Sequence, residues 1–387
     1  MRAIWRLLGS YGLACILLLC LFALTLFGTL YQQDHGLYDA KNTFFNSWVL
    51  TTKGGLPLFP GGVTVMLLLT FNLIVGGLLR IKWRGRNAGV LIIHFGIIFM
   101  LVAGLVKLTQ AEEGSLLLYE GQASNEFQSH HLWEVTLWEM TEATEVKEWS
   151  IEDPFLTDLR GDRKRTFRSS AWPFELQLHN FLLNCDALPK GPNWNADSKT
   201  VDGFALRALP PEKEHERNLA GIEASVVASD GTTIDALLWG AERGPWSFEV
   251  GGRKFALHLA KQTYPMPFTI QLDDFIKEDH PGIGMAKAYK SQVTQTTDGT
   301  ERPVLIQMNE PLRDGGLVLF QSSYGPDTPG HEGPFFSVFS VVRNPSDKWP
   351  EYSLWVITVG LVIAFGRTLW NYIRKQSKRR NAAGGQA

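Results

Sequence analysis

Four long apolar stretches constrain this chain more than any other feature. Residues 7–33, 54–79 and 87–106 contain no Asp, Glu, Lys or Arg, and residues 352–366 are just as apolar. A helix needs about 20 largely apolar residues to cross a bilayer. The stretches are therefore read as membrane helices at about 10–30, 60–80, 87–106 and 352–373. The fourth reaches full length if Arg367 snorkels toward the headgroups. Trp83, Trp349, Trp355, Trp370 and Tyr372 suit the membrane interfaces. The first stretch is too long for a signal peptide, and no convincing cleavage site follows it.

The formal net charge of −2 hides a partition. Residues 107–350 hold 36 acidic and 23 basic side chains, whereas the rest of the chain holds 3 acidic and 14 basic. Eleven of those 14 basic residues gather in three segments free of Asp and Glu: Arg2 and Arg6; Arg80, Lys82, Arg84 and Arg86; and the tail from Arg374 to Arg380. The positive-inside rule places all three in the cytoplasm. The expectation is a multi-pass protein of the cytoplasmic membrane with both termini inside. Residues 1–106 form three spans, residues 107–350 an extracytoplasmic domain, and residues 351–387 the fourth span and a basic tail. Its bulk partner is the lipid bilayer, and no nucleic-acid partner is expected. An acidic outer domain also favours basic protein partners.

Within 107–350 the pattern is one of strands. Short apolar or alternating runs such as LWEVTLWEM (132–140), FELQLHNFLL (174–183) and IEASVVAS (222–229) are bounded by turn residues. DGTT at 230–233 and the pair Gly251-Gly252 read as hairpin turns. GDRKRTFRSS (161–170) and PPEKEHERN (210–218) read as charged loops. The fold class is thus four membrane helices plus a mostly antiparallel β sandwich or open barrel.

Soluble-enzyme signatures are lacking. There is no phosphate-binding glycine loop, no HExxH and no GxSxG, GIG at 282–284 lacks a third glycine, and Asp273-Asp274 is ordinary surface chemistry. No catalytic residue is assigned. With no CxxC, a thioredoxin-like site and covalent haem attachment to this chain are not indicated. Cys15 and Cys20 point about 140° apart on a helix and cannot pair, and Cys185 is alone in the large domain.

Of nine histidines, His94 is the one inside an expected span. It sits near the midplane, where an imidazole is costly without a partner. Neutral imidazole is a common metal or haem-iron ligand. The alternative is a hydrogen bond to a neighbouring helix. Gly96 beside it leaves room for the close approach of a flat group or another helix. His130 and His131, if in a strand, point to opposite faces and would not chelate one ion. His35, next to Asp34, lies just outside the first span.

Several short motifs occur in a telling order: His94 with Gly96, YEG (119–121), YPMPF (264–268), QMNEPL (307–312), FQSSY (320–324) and SVFSVVRNP (337–345). In these and in its layout the chain resembles the ResB (CcsB) family of System II cytochrome c biogenesis. The resemblance implies a subunit, not an enzyme on its own, that works with a CcsA-like membrane protein. The pair moves haem outward and supports its attachment to CxxCH motifs of apocytochrome c. It also implies that His94 is an axial ligand to haem b, and the haem iron would be its metal. The second ligand would come from the partner. The partner's tryptophan-rich WGxxWxWD motif is absent here. A membrane-anchored sensor or assembly scaffold without haem is the competing expectation.

Overall fold

The computed structural model describes residues 2–52, 54–140, 147–161, 163–191, 199–282, 286–326 and 334–384. Residues 283 and 284 of GIG lie outside the described residues. The chain forms two compact units, Met1–Ala111 with Asn344–Ala387, and Glu112–Arg343.

The first unit is helical. It contains α1 (Arg2–Leu8), α2 (Tyr11–Ala40), α3 (Gly62–Leu73), α4 (Ala88–Gln110) and α5 (Trp349–Gly384). Four stretches are long and apolar enough to cross a membrane: Tyr11–Phe45, Gly62–Leu79, Gly85–Gln110 and Trp349–Lys378. Two spans run past their expected ends. The α2 helix continues through YQQDHG, where polar side chains can lie at the headgroups, and it breaks at Gly36 (φ 82°). Only glycine takes that backbone without strain. The α5 helix extends eleven residues beyond 373. Between α2 and α3 the chain makes a small hairpin, β1 (Val49–Thr51) with β2 (Pro57–Pro60).

Helices in lipid gain little from burying leucine, so close backbone approach at small residues holds them together. A methyl group on Gly89 would meet the Ala364 nitrogen at 2.6 Å, and one on Gly360 would meet the Ile93 nitrogen at 2.8 Å. The contact of α4 with α5 therefore runs backbone to backbone. At its end, Ser346 Oγ donates to the Ala103 carbonyl at 2.9 Å.

The second unit is β throughout, apart from short 3-10 turns, among the described residues. Its strands are β3 (Glu112–Tyr119), β4 (Ala123–Glu139), β5 (Glu148–Glu152), β6 (Lys164–Phe167), β7 (Phe174–Leu182), β8 (Cys185–Pro189), β9 (Phe204–Ala208), β10 (Gly221–Ala228), β11 (Thr233–Trp239), β12 (Trp246–Val250), β13 (Arg253–Asp279), β14 (Ala286–Thr297), β15 (Thr300–Gln307), β16 (Leu312–Asp314), β17 (Leu317–Gly325) and β18 (Phe336–Arg343). The main sheet runs β15-β14-β13-β4-β3-β18-β17-β16, with β12 beside β13 and β5 beside β4. It curls into a nearly closed barrel. Gln295 of β14 donates to Asp314 of β16 at 2.7 Å, and Ser291 of β14 meets Ser337 of β18 inside at 2.8 Å. A second sheet, β11-β10-β7-β6, packs its apolar face against the lower halves of β4 and β13. The two long strands thus serve two cores. Trp133, Leu137, Leu176, Ile222 and Phe255 belong to one, and Leu118, Phe127, Phe268, Ile306 and Phe339 to the other.

The β12–β13 hairpin turns at Gly251-Gly252 (φ 63° and 72°), and the β10–β11 hairpin turns at 228–232, both as expected. The expected charged loop at 161–170 is corrected. Lys164–Phe167 pairs with β7 as β6, an edge strand. Charged side chains on an edge guard it against pairing with other chains, so charge there is compatible with a strand. Three of the short motifs lie at joints of the barrel. Glu120 of YEG accepts from the Phe275 and Phe335 nitrogens at 3.1 and 3.2 Å. Gln321 of FQSSY accepts from Ser291 Oγ and donates to Ser337 Oγ, both at 2.6 Å. YPMPF lies where β13 slips against β4 between Pro265 and Ile270. Proline has no N–H to give the ladder.

Candidate functional site

His94 lies on α4, and the ring faces the last turn of the second span. That turn, Ile74–Leu79, is π-helical. Such turns are rare and frequent at functional sites. Gly76 and Gly77 within it allow close packing. A methyl group on Gly77 would come within 3.1 Å of the His94 ring, and one on Gly76 would reach the Gly9 carbonyl at 3.0 Å. The ring therefore packs against bare backbone. Nδ1 of His94 is buried and has no hydrogen-bond partner among the described residues.

The break between α1 and α2 forms the opposite wall. Ser10 caps α2, its Oγ accepting from the Leu13 nitrogen at 3.2 Å. Asn72, an amide within the second span, donates to the Leu8 and Ser10 carbonyls at 2.6 and 3.1 Å. Arg80 Nη1 donates to the Gly9 carbonyl at 2.8 Å. These bonds satisfy carbonyls that the helix break leaves open and fix α1 on the second span. Together they border a half-open cavity of about 600 Å³, lined among others by Arg6, Tyr11, Asn72, Gly77, Arg80 and His94. That volume falls within the roughly 300–1,000 Å³ of small-molecule and cofactor sites. With the His94 imidazole in its lining and no carboxylate, the pocket has a donor set that fits a metalloporphyrin. Asn72 was not singled out in the sequence, although an amide in an otherwise apolar span was the available signal.

Gly96 serves another purpose. A methyl group there would strike Ile357 Cγ1 of α5 at 2.7 Å. The close approach it permits is that of a helix. His35 stacks on Tyr31 with ring centroids 3.8 Å apart.

The vicinal histidines depart from the simple strand expectation. In β4, Gln128 pairs with Thr263 and Trp133 with Lys261, so residues 129–132 bulge out opposite Gln262 alone. A bulge re-aims side chains. His131 turns to His215, with the two Nδ1 atoms 3.2 Å apart. Among the described residues no group of three or more His, Cys, Asp and Glu could hold a metal ion. Cys185 is buried, and burial pushes its thiol up to about 12, so it is not a nucleophile.

Below the bulge, Lys261 Nζ donates to the His130 carbonyl at 3.1 Å and lies 4.1 Å from the Trp133 ring centre. Burial pulls its pKa from the ordinary 10.5 down to about 8, against the opposing pull of Asp153 and Glu216. Between these values the unfolded chain binds the extra proton, so stability rises with pH across that window. Urea unfolding of the full chain should show this rise between pH 8 and 10.5, and Lys261→Met should flatten it. An unchanged slope in the variant would contradict the assignment.

Comparison with known proteins gives one family match. The model of the ResB-like family matches residues 250–335. This segment runs from the β12–β13 turn past the end of β17, and it includes YPMPF, QMNEPL and FQSSY. No curated protein matches the chain. The motif-bearing barrel strands are thus the part that the family model matches, and together with four helices apolar enough to cross a membrane and a β domain the match is consistent with an assignment to the ResB family, whose general role is cytochrome c biogenesis.

Proposed function

We propose that this chain is the haem-receiving half of a cytochrome c maturation machine. With a CcsA-like membrane partner it passes haem across the cytoplasmic membrane and supports its attachment to CxxCH motifs of apocytochrome c. The observation that carries this reading is His94, an imidazole within a span that lines a pocket of cofactor size in the helical unit. When bound, haem supplies the iron, an electrophilic centre for imidazole. His94 would be one axial ligand, and the second would come from the partner. Gly77 holds the ring orientation, and Asn72 and Arg80 hold the opposing wall. The three acid-free basic segments lie in the cytoplasm, and the β domain lies outside. Its excess of acidic residues draws in basic apocytochrome.

In cells that lack the chain, a copy carrying His94→Ala, expressed with the partner, should mature cytochrome c at least about tenfold more slowly than the native copy. One lost ligand worth about 1.4 kcal/mol gives that factor. The variant should still insert, with its β domain resistant to protease. Maturation at the native rate would favour a scaffold without haem.

A further inference from the structure

We propose that Arg6 and Arg80 form the dicarboxylate-binding end of the His94 cavity, so that the site takes an iron porphyrin with its propionates at the arginines and its iron at His94. This rests on the haem reading above.

The cavity wall carries two guanidinium groups and no carboxylate. Residues 54–111, which supply the second and third spans, contain no Asp or Glu at all. Both arginines are exposed at this end of the cavity and neither has a carboxylate partner among the described residues, so both charges can meet an anion that enters. Arg80 is also pre-positioned. Its Nη1 is tied to the Gly9 carbonyl at 2.8 Å and lies 3.4 Å from the Arg6 carbonyl. Nε and Nη2 make no hydrogen bond among the described residues. A guanidinium held at one nitrogen loses little freedom when it binds a carboxylate, and two parallel N–H donors match a carboxylate edge. The start of the 30-residue α2, with Ser10 and Tyr11 in the same wall, adds the positive end of its dipole. The cavity therefore pairs an iron-ligating imidazole with two cations. Porphyrins bearing two carboxylates match that pairing, and neutral porphyrins do not.

The test uses the full chain in nanodiscs of zwitterionic lipid, titrated by absorbance with ferric haem and with its dimethyl ester. Haem should bind at least about tenfold more tightly than the ester, as expected for one charge-assisted pair. Arg6→Gln should reduce the preference while keeping a His94-dependent band with both compounds. The wild-type comparison needs no substitution, so a folding defect in the variant leaves it intact. Equal binding of haem and ester, each with the His94-dependent band, overturns this inference and leaves the haem reading standing. Absence of that band with both compounds overturns the reading and the inference together. If anionic lipid in the nanodisc suppresses haem and ester binding alike, the arginines serve lipid phosphates and the inference fails.

Discussion

Trp133→Ala is expected to lower the stability of the β domain by about 3–5 kcal/mol, the range for truncating a fully buried aromatic. Trp133 is 1% exposed and sits where β4 regains register with β13 after the four-residue bulge. Its ring fills the larger core, and a methyl group on Gly240 would overlap it at 2.3 Å. Removal would open a cavity and also strip Lys261 of the ring over which its ammonium lies. The indole N–H is buried without a partner among the described residues. An unsatisfied donor of this kind costs about 1–3 kcal/mol, so Trp133→Phe should lose much less than Trp133→Ala. Urea unfolding of the full chain in detergent, followed by protease resistance of the β domain, measures both. A loss below about 1 kcal/mol for alanine would show that the bulge is not anchored by this residue.

The spans were legible because lipid imposes a crude rule on sequence, and four uncharged stretches obey it. Their ends were less legible. Once YQQDHG leaves the hydrocarbon, nothing in its apolarity says whether the helix stops, and α2 goes on to Ala40. The β class followed from alternation, but β6 was hidden because charge on an edge strand looks like charge on a loop. The bulge at 129–132 was hidden for a different reason. It depends on how β4 aligns with residues about 130 positions away, and His215 reaches His131 from what reads as a loop. In the helical unit, His94 stood out as the imidazole of its span. The cradle around it did not, since Gly77 and the Asn72 bonds to Leu8 and Ser10 become meaningful only when helices distant in sequence pack. Gly96 illustrates the ambiguity of glycine in membrane helices. Small size announces close approach but not by what, and here it is Ile357 of α5.

The central claim is that His94 ligates haem, and the absorption spectrum of the chain co-purified with the proposed CcsA-like partner tests it most directly. The native complex should carry haem with an imidazole-ligated spectrum. His94→Gly should retain the helical unit, because the ring makes no hydrogen bond through Nδ1 that the fold needs. It should lose at least about tenfold in bound haem, the factor for about 1.4 kcal/mol of ligand bond. Added imidazole should restore both haem content and the native spectrum by filling the vacated space beside Gly77. A His94→Gly complex with full haem content, an unchanged spectrum and no response to imidazole would contradict the account.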